Sequence, residues 1–580
     1  MLKNTNLNFF SHFKRNDFIS HYCAFSIIFI FLVILFIHGF LNSFIPCEKD
    51  CGETFIALHQ ASNLYITGAK FCWLEDLATS PNIANHPYLY THSINIGNLV
   101  FVLAEQLGLS ALWQKQMITL AITGLGLLYI YLCVLKAGKN SFIALLTLFL
   151  FSISYNQVFS FGLNALRAWH WLALFGSLYH TQNLLENFTL KNSLLMTLFS
   201  FISFCLGYDF WIIVFISCLL LSVFSHFGHL RTKRTVLLFL CGCFIAPFCL
   251  RQIQVYTVLG FDYWMTDFHY TFLSKVPLVT KFFRYPSSEE IKAFYEHYNI
   301  LRPYSLPESS ILSIWGTFSW MFSKAVYPNY GLVNCGAIVF SSIFCIKAIR
   351  NNTKEKESTH DSKLPALYLS ILLGTMIGLF VFSPFSFHVY LKHEFPLLGA
   401  VFYLSISLSV FAIRQYTANI KLNYCILVFF VLNTLMVQVQ NIKNRSPMDT
   451  SWINFASTHK QNTYAVSWIN SCVSSFSENW VLPLIPGSES QILSNLQNKE
   501  APFDKKMTLN FGEKDKEQSW NIYSKPDFWL YFDANRLPHL DQGIDNGNSI
   551  DKIINLFPQF PVFEKTKNYV VFDLRDFWKR

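Results

Sequence analysis

Residues 22–45, YCAFSIIFIFLVILFIHGFLNSFI, run from Tyr22 to Ile45 without one charged side chain. That is long enough to cross the apolar core of a bilayer as a helix, which takes about 20 residues. The run exceeds the usual core of a secretory signal, and no small-residue cleavage pattern follows it, so it is expected to stay as a membrane helix. Ten further apolar runs follow: Leu112–Leu135, Ser141–Phe161, Ala165–Leu184, Ser193–Leu206, Trp211–Phe227, Thr235–Leu250, Gly331–Ile349, Pro365–Phe385, Phe395–Ile413 and Asn423–Gln440. The fold expected is an α-helical polytopic membrane protein with about eleven transmembrane helices.

Composition agrees with this reading. The 580 residues are 52% hydrophobic and 14% charged, with 60 phenylalanines. Soluble domains carry about 25% charged residues. A soluble multidomain enzyme, a disordered chain and a disulfide scaffold are therefore excluded. The net charge of +9 does not point to nucleic acid, because the basic residues sit in short loops between apolar runs. With the N-terminus in the cytoplasm, alternation places sixteen Lys and Arg of the N-terminal segment and the short connections inside, among them Lys136, Lys139, Lys191, Arg234 and Lys363. The short outer connections hold three, Lys49, Lys70 and Lys392. That asymmetry orients a multi-pass protein of the cytoplasmic (inner) membrane.

Two units are expected. Residues 1–441 form the transmembrane module, with outer loops at 46–111 and 251–330. Residues 442–580 form a small extracytoplasmic α/β domain, in which Asn568–Leu574 reads as a strand and Asp551–Phe557 as a short helix. Most of the fourteen cysteines lie in or beside apolar runs and read as small packing residues. Cys241 and Cys243, two apart on a helix, face different ways and make a poor metal pair. Cys47, Cys51 and Cys72 share the first outer loop. One disulfide among them is open there, Cys47 with Cys51 being one pairing.

Polar residues crowd the outer ends of the spans, as a reaction at the outer interface requires. The first outer loop holds Glu53, His59, Glu75, Asp76, His86-Pro87 and His92. It ends in Ile96–Leu109, too short and polar to span. That stretch reads as an interfacial amphipathic helix with Val100, Phe101, Leu103, Ala104 and Leu107 on its apolar side. Tyr208-Asp209 falls in a tight turn between the fifth and sixth runs. Arg167 and His170 open the fourth, and Arg251 closes the seventh. FHVYLKHEFP, Phe387–Pro396, connects the ninth and tenth and offers His388, Lys392 and His393. Cations of this kind clamp phosphate oxygens, and a carboxylate nearby can take a proton from an attacking hydroxyl.

The first loop resembles that of the polytopic GT-C glycosyltransferases, especially the dolichyl-phosphate-mannose protein mannosyltransferases and the bacterial aminoarabinose transferases. The resemblance rests on Gly52-Glu53, on Asn63-Leu64-Tyr65, and on His86-Pro87-Tyr88-Leu89-Tyr90 ahead of an interfacial helix. Gly52 stands where those proteins often place a second acid, which keeps Asp76 in play beside Glu53. The resemblance implies transfer of a sugar from a polyprenyl-phosphate-linked donor to a glycan, lipid or protein acceptor, by an inverting single displacement outside the cytoplasmic membrane. On that reading Glu53 is the general base and Asp76 a second acid or acceptor-positioning group. Arg251, Lys392, His388 and, more weakly, Arg167 bind the donor phosphate. His86, His59 and Asp209 lie around the acceptor. Some GT-C enzymes use a divalent metal, to which Glu53, Asp209 and His86 could contribute, although nothing in their spacing demands it. Three rival readings remain: one is a non-enzymatic membrane sensor whose outer C-terminal domain binds a ligand, and the other two make specific demands. A transporter of lipid-linked glycan predicts mid-span charges and inverted repeats, which the sequence lacks. An O-antigen ligase or polymerase predicts Arg and His in a late outer loop, and 251–330 does hold Arg251, His269, Arg284, His297 and Arg302.

Overall fold

The structure, a computed structural model, describes residues 15–41, 75–76, 89–90, 96–109, 112–154, 168–224, 230–275, 287, 290, 293–294, 322, 326–352, 363–378, 387–416, 420–443, 451–459, 462, 464–467, 481–484, 505–509, 518–522, 527–532, 550–567 and 569–576. In chain order the helices are α1 (Arg15–Leu41), α2 (Ile96–Gln106), α3 (Leu112–Gly138), α4 (Ser141–Ile153), α5 (Ala168–Glu186), α6 (Leu190–Cys205), α7 (Tyr208–Phe224), α8 (Leu230–Leu259), α9 (Phe261–Lys275), α10 (Tyr327–Asn352), α11 (Lys363–Ile377), α12 (Phe387–Tyr416), α13 (Ile420–Lys443), α14 (Ser451–Thr458) and α15 (Ile550–Leu556). The described part of each of the eleven apolar runs lies on one helix, or, at Ser154, Leu206 and Gly378, immediately beyond its end. Among the described residues, four helices are long and apolar enough to cross a membrane, over Ile19–Ile37, Trp113–Gly138, Thr232–Thr257 and Tyr330–Arg350. Six more are apolar but shorter as described. Their outer surfaces suit lipid: Phe25 and Phe29 on α1, Leu238 on α8 and Met436 on α13 are exposed, while the centre is packed with Leu127, Trp171, Phe175 and Tyr403.

Several expected boundaries move. Helix α8 runs on to Leu259, so Arg251 lies inside it and does not close it. A second helix, α9, follows at once within the expected outer loop, across a turn at Gly260 with φ +85° that suits glycine. Residues 387–394, expected as a connection, are the first turns of α12. The reason is shared: amphipathic first and last turns continue a helix past the apolar run, because the backbone must stay hydrogen-bonded wherever water is scarce. Helix α2 forms where an interfacial helix is expected, but its buried side holds Ile96, Phe101, Val102 and Ala104, whereas Leu103 and Leu107 are exposed.

The helices pack through small and hydroxyl side chains, the interface chemistry of membrane bundles. Gly374 on α11 and Gly378, the first residue past its end, form a small-xxx-small pair and meet Ser217 and Ile213 on α7. A Cβ added at Gly374 would collide with the Ser217 hydroxyl and lie 3.2 Å from the Ser217 Cα. Thr147 on α4 donates to Ser407 on α12 at 2.9 Å, and the Tyr403 hydroxyl donates to Ser154 at 2.6 Å. Ser341 on α10 donates to the Ser405 carbonyl at 2.7 Å.

One such bond answers a proline. Pro247 lies inside α8 and has no N–H for the carbonyl four residues earlier, that of Cys243. The Ser200 hydroxyl on α6 donates to that carbonyl at 2.7 Å. Ser200→Ala should strand a buried carbonyl and cost about 1–3 kcal/mol. Thermal unfolding in a fixed detergent measures this. An unchanged midpoint would mean that the carbonyl finds another donor.

A five-stranded sheet occupies the C-terminal part, in the order β4-β3-β7-β9-β8. Its strands are β3 (Tyr464–Ser467), β4 (Val481–Leu484), β7 (Phe528–Phe532), β8 (Val562–Lys565) and β9 (Tyr569–Asp573). β3 pairs in parallel with β4 and β7, and β9 pairs antiparallel with β7 and β8. The expected strand at 568–574 is β9, whose first four residues are buried, and the expected short helix is α15. Trp529 packs edge-on against Phe557 just after α15, with ring centroids 4.9 Å apart. Two short antiparallel pairs stand apart from this sheet: β1 (Glu75–Asp76) with β2 (Leu89–Tyr90), and β5 (Lys505–Leu509) with β6 (Gln518–Ile522).

Candidate functional site

Glu53, His59, His86 and Arg167 lie outside the described residues, as do Cys47, Cys51 and Cys72. Arg167 immediately precedes α5 in sequence. The first loop is described at one place that matters. β1 and β2 put Asp76 opposite Leu89 and Glu75 opposite Tyr90. The acid pair and Leu89-Tyr90 thus share one ribbon, although they lie far apart along the chain. His388 and Lys392 are placed on the first turns of α12 by its backbone, and Asp209 is the second residue of α7. The tight turn expected at Tyr208-Asp209 lies one step earlier, at Leu206-Gly207, with Gly207 at φ +119°.

Arg251 is the one proposed site residue whose side chain is described. It is 1% exposed and donates from a guanidinium nitrogen to Gln254 Oε1 at 3.0 Å. Its neighbour Gln252 ties three helices together. Gln252 donates to the Tyr208 hydroxyl of α7 at 3.3 Å and accepts from the Trp264 indole of α9 at 2.9 Å. The buried His170 ring of α5 lies edge-on to Phe210 of α7, centroids 4.5 Å apart. Three segments chosen separately from the sequence, at His170, at Tyr208-Asp209 and at Arg251, therefore meet. On α9, Asp267 is buried. Burial, and then the Glu290 carboxylate, push the Tyr270 phenol above its ordinary value.

Sequence reasoning passed over Gln252, Gln254 and Trp264, because an amide or indole at a helix end carries no motif. It also passed over Glu186. That carboxylate accepts from Lys136 of α3 at 2.7 Å and from Lys363 of α11 at 3.0 Å. Both lysines were assigned by charge counting to the same membrane face, and here they share one carboxylate. The ends of α3, α5 and α11 that carry these charges are opposite to the ends where His170, Gln116 and Lys115 sit.

Among the described residues no group of three or more His, Cys, Asp or Glu gathers as metal ligands do. Two of the three residues named for a metal, Glu53 and His86, fall outside those residues, and of Asp209 only the backbone is described.

No protein-family model matches the chain, and no curated protein matches it. Among solved structures, the chain is similar to the oligosaccharyltransferase of Archaeoglobus fulgidus, determined in complex with Zn and sulfate. The identity is 10% and the TM-score 0.47, over 84% of this chain and 64% of that one. A likeness this distant carries no argument about activity, and the chain spans less than two thirds of that structure.

Proposed function

We propose that this protein is a multi-pass membrane glycosyltransferase that moves a sugar from a polyprenyl-phosphate donor to an acceptor hydroxyl at the extracytoplasmic face. The observation that supports this best is the junction at which Gln252, next to Arg251, joins α7, α8 and α9, with α5 packed on α7 through His170. A buried guanidinium stands there at the end of the bundle opposite the Lys136–Glu186–Lys363 bridge, in a chain that is otherwise sparing with charge. A buried cation is costly in a membrane protein and is usually kept for function.

The chemistry is a single displacement. The acceptor oxygen attacks the anomeric carbon as the bond from that carbon to the phosphate oxygen breaks. Glu53 takes the acceptor proton, with Asp76 positioning the acceptor. The departing polyprenyl phosphate gains negative charge, which Arg251, Lys392 and His388 offset, with Arg167 behind them. Inversion at the anomeric carbon follows from a single attack.

The test is reconstitution in proteoliposomes with donor labelled in the sugar. The expected result is release of polyprenyl phosphate in step with sugar transferred. Passage of intact donor across the bilayer without cleavage would replace the enzyme with a transporter. Products of many repeats would favour the polymerase.

A further inference from the structure

The first turns of α3 read LWQKQMITLAIT, Leu112–Thr123. Gln116 there is fully buried, and neither its amide oxygen nor its amide nitrogen has a hydrogen-bond partner. Among the described residues no other side chain leaves two buried polar atoms unpaired in this way. The remaining cases are single hydroxyls, ring nitrogens or a guanidinium nitrogen. Thr119 and Thr123, one and two turns further along the same face, are buried too. Their hydroxyls are satisfied within the helix, bonding the carbonyls of Lys115 at 3.4 Å and of Thr119 at 3.0 Å. A glutamine cannot bond back to its own helix in that way as a threonine does. Its amide needs a donor and an acceptor from elsewhere, and buried polar groups left without them are rare in folded proteins. Lys115, next to it, is only 4% exposed.

The location gives the orphan amide a meaning. α2 leads through Leu109 almost directly into α3, so the start of α3 is where the loop bearing Glu53 and Asp76 re-enters the bundle. The proposed function puts that end at the extracytoplasmic face, and the inference rests on that reading. An amide presents one donor and one acceptor side by side, which matches a pair of sugar hydroxyls; an ammonium matches phosphate.

We propose that the outer end of α3 is a donor-binding subsite, in which Gln116 recognises hydroxyls of the lipid-linked sugar and Lys115 faces its phosphate. The donor supplies the partners that the fold itself does not give this amide. A polar group kept for a ligand at a cost to the empty fold has a testable signature: removing it strengthens the empty protein and weakens binding.

The experiment compares wild type with Gln116→Met in lipid nanodiscs. It reads the thermal midpoint and the affinity for two kinds of probe: bare polyprenyl phosphate, and polyprenyl phosphate carrying single hexoses or pentoses. Wild type is expected to bind at least one sugar-bearing lipid more tightly than the bare one. Gln116→Met should raise the midpoint without probe, lose about tenfold in affinity for that sugar lipid, and keep its affinity for the bare lipid phosphate. Gln116→Asn, which draws the amide back by one methylene, should fold normally and fall between the two. If Gln116→Met melts earlier or fails to fold, or if both variants bind the sugar lipid as wild type does, the subsite is overturned while the glycosyltransferase reading stands. If wild type binds none of the probes, both are overturned.

Discussion

Glu53→Gln is expected to lower sugar transfer by about 100- to 10,000-fold while the protein still inserts and folds. The substitution keeps size and hydrogen-bonding reach, and removes only the capacity to hold a proton. A general base gives its rate by accepting the acceptor's proton as the oxygen attacks, so the loss should appear in kcat more than in donor KM. Thiolate acceptors, which need no base, should be spared relative to hydroxyl acceptors. The measurement is initial rate in proteoliposomes with labelled donor, set against the amount of folded enzyme. Transfer within about threefold of wild type would remove Glu53 as the base, and Asp76→Asn would then be the next variant to carry the loss.

Arg251→Met should cost about 100- to 1,000-fold in kcat, the usual effect of removing one preorganised group from a developing oxyanion. The side chain is buried, so its charge acts through little water and salt should screen it weakly. Arg251→Lys keeps the charge but loses the planar fork, and should recover part of the rate. Met replaces roughly the aliphatic stem of the removed side chain, which limits the cavity to the space of the guanidinium. Thermal midpoints taken beside the rates then separate a lost clamp from a lost fold. Full activity in Arg251→Met would assign the guanidinium to packing around Gln254 and move the phosphate clamp to the first turns of α12.

The helices were legible because a spanning helix has one overriding signal, a long apolar run, and the described part of each of the eleven runs carries a helix. The ends were less legible. Near Leu259 and Phe387 the sequence is mixed in polarity, and what extends a helix there is the need to pair backbone groups, which leaves no mark in hydropathy. The strand at Tyr569–Asp573 was readable from its β-branched and aromatic residues, but its place between β7 and β8 was not, because strand order is set by contacts distant in sequence. For the site, ionisable side chains mark His170, Asp209 and Arg251 in the sequence, and the segments carrying them do meet. The neutral groups that join them, Gln252 with Tyr208 and Trp264, could not be chosen beforehand, since hydrogen bonds between helices depend on rotation about each axis. Gln116 was invisible for the opposite reason: its distinction is a partner it does not have.

The serine that completes the proline-interrupted carbonyl has a reach beyond its own bond. Arg251 sits one turn past Pro247, on the stretch of α8 whose bearing that interruption governs. The aim of the guanidinium thus depends on a hydroxyl belonging to a different helix, in the manner of a rifle steadied by a rest. If Arg251 acts as proposed, a change at position 200 would lower sugar transfer at a distance, with no residue of the proposed site altered.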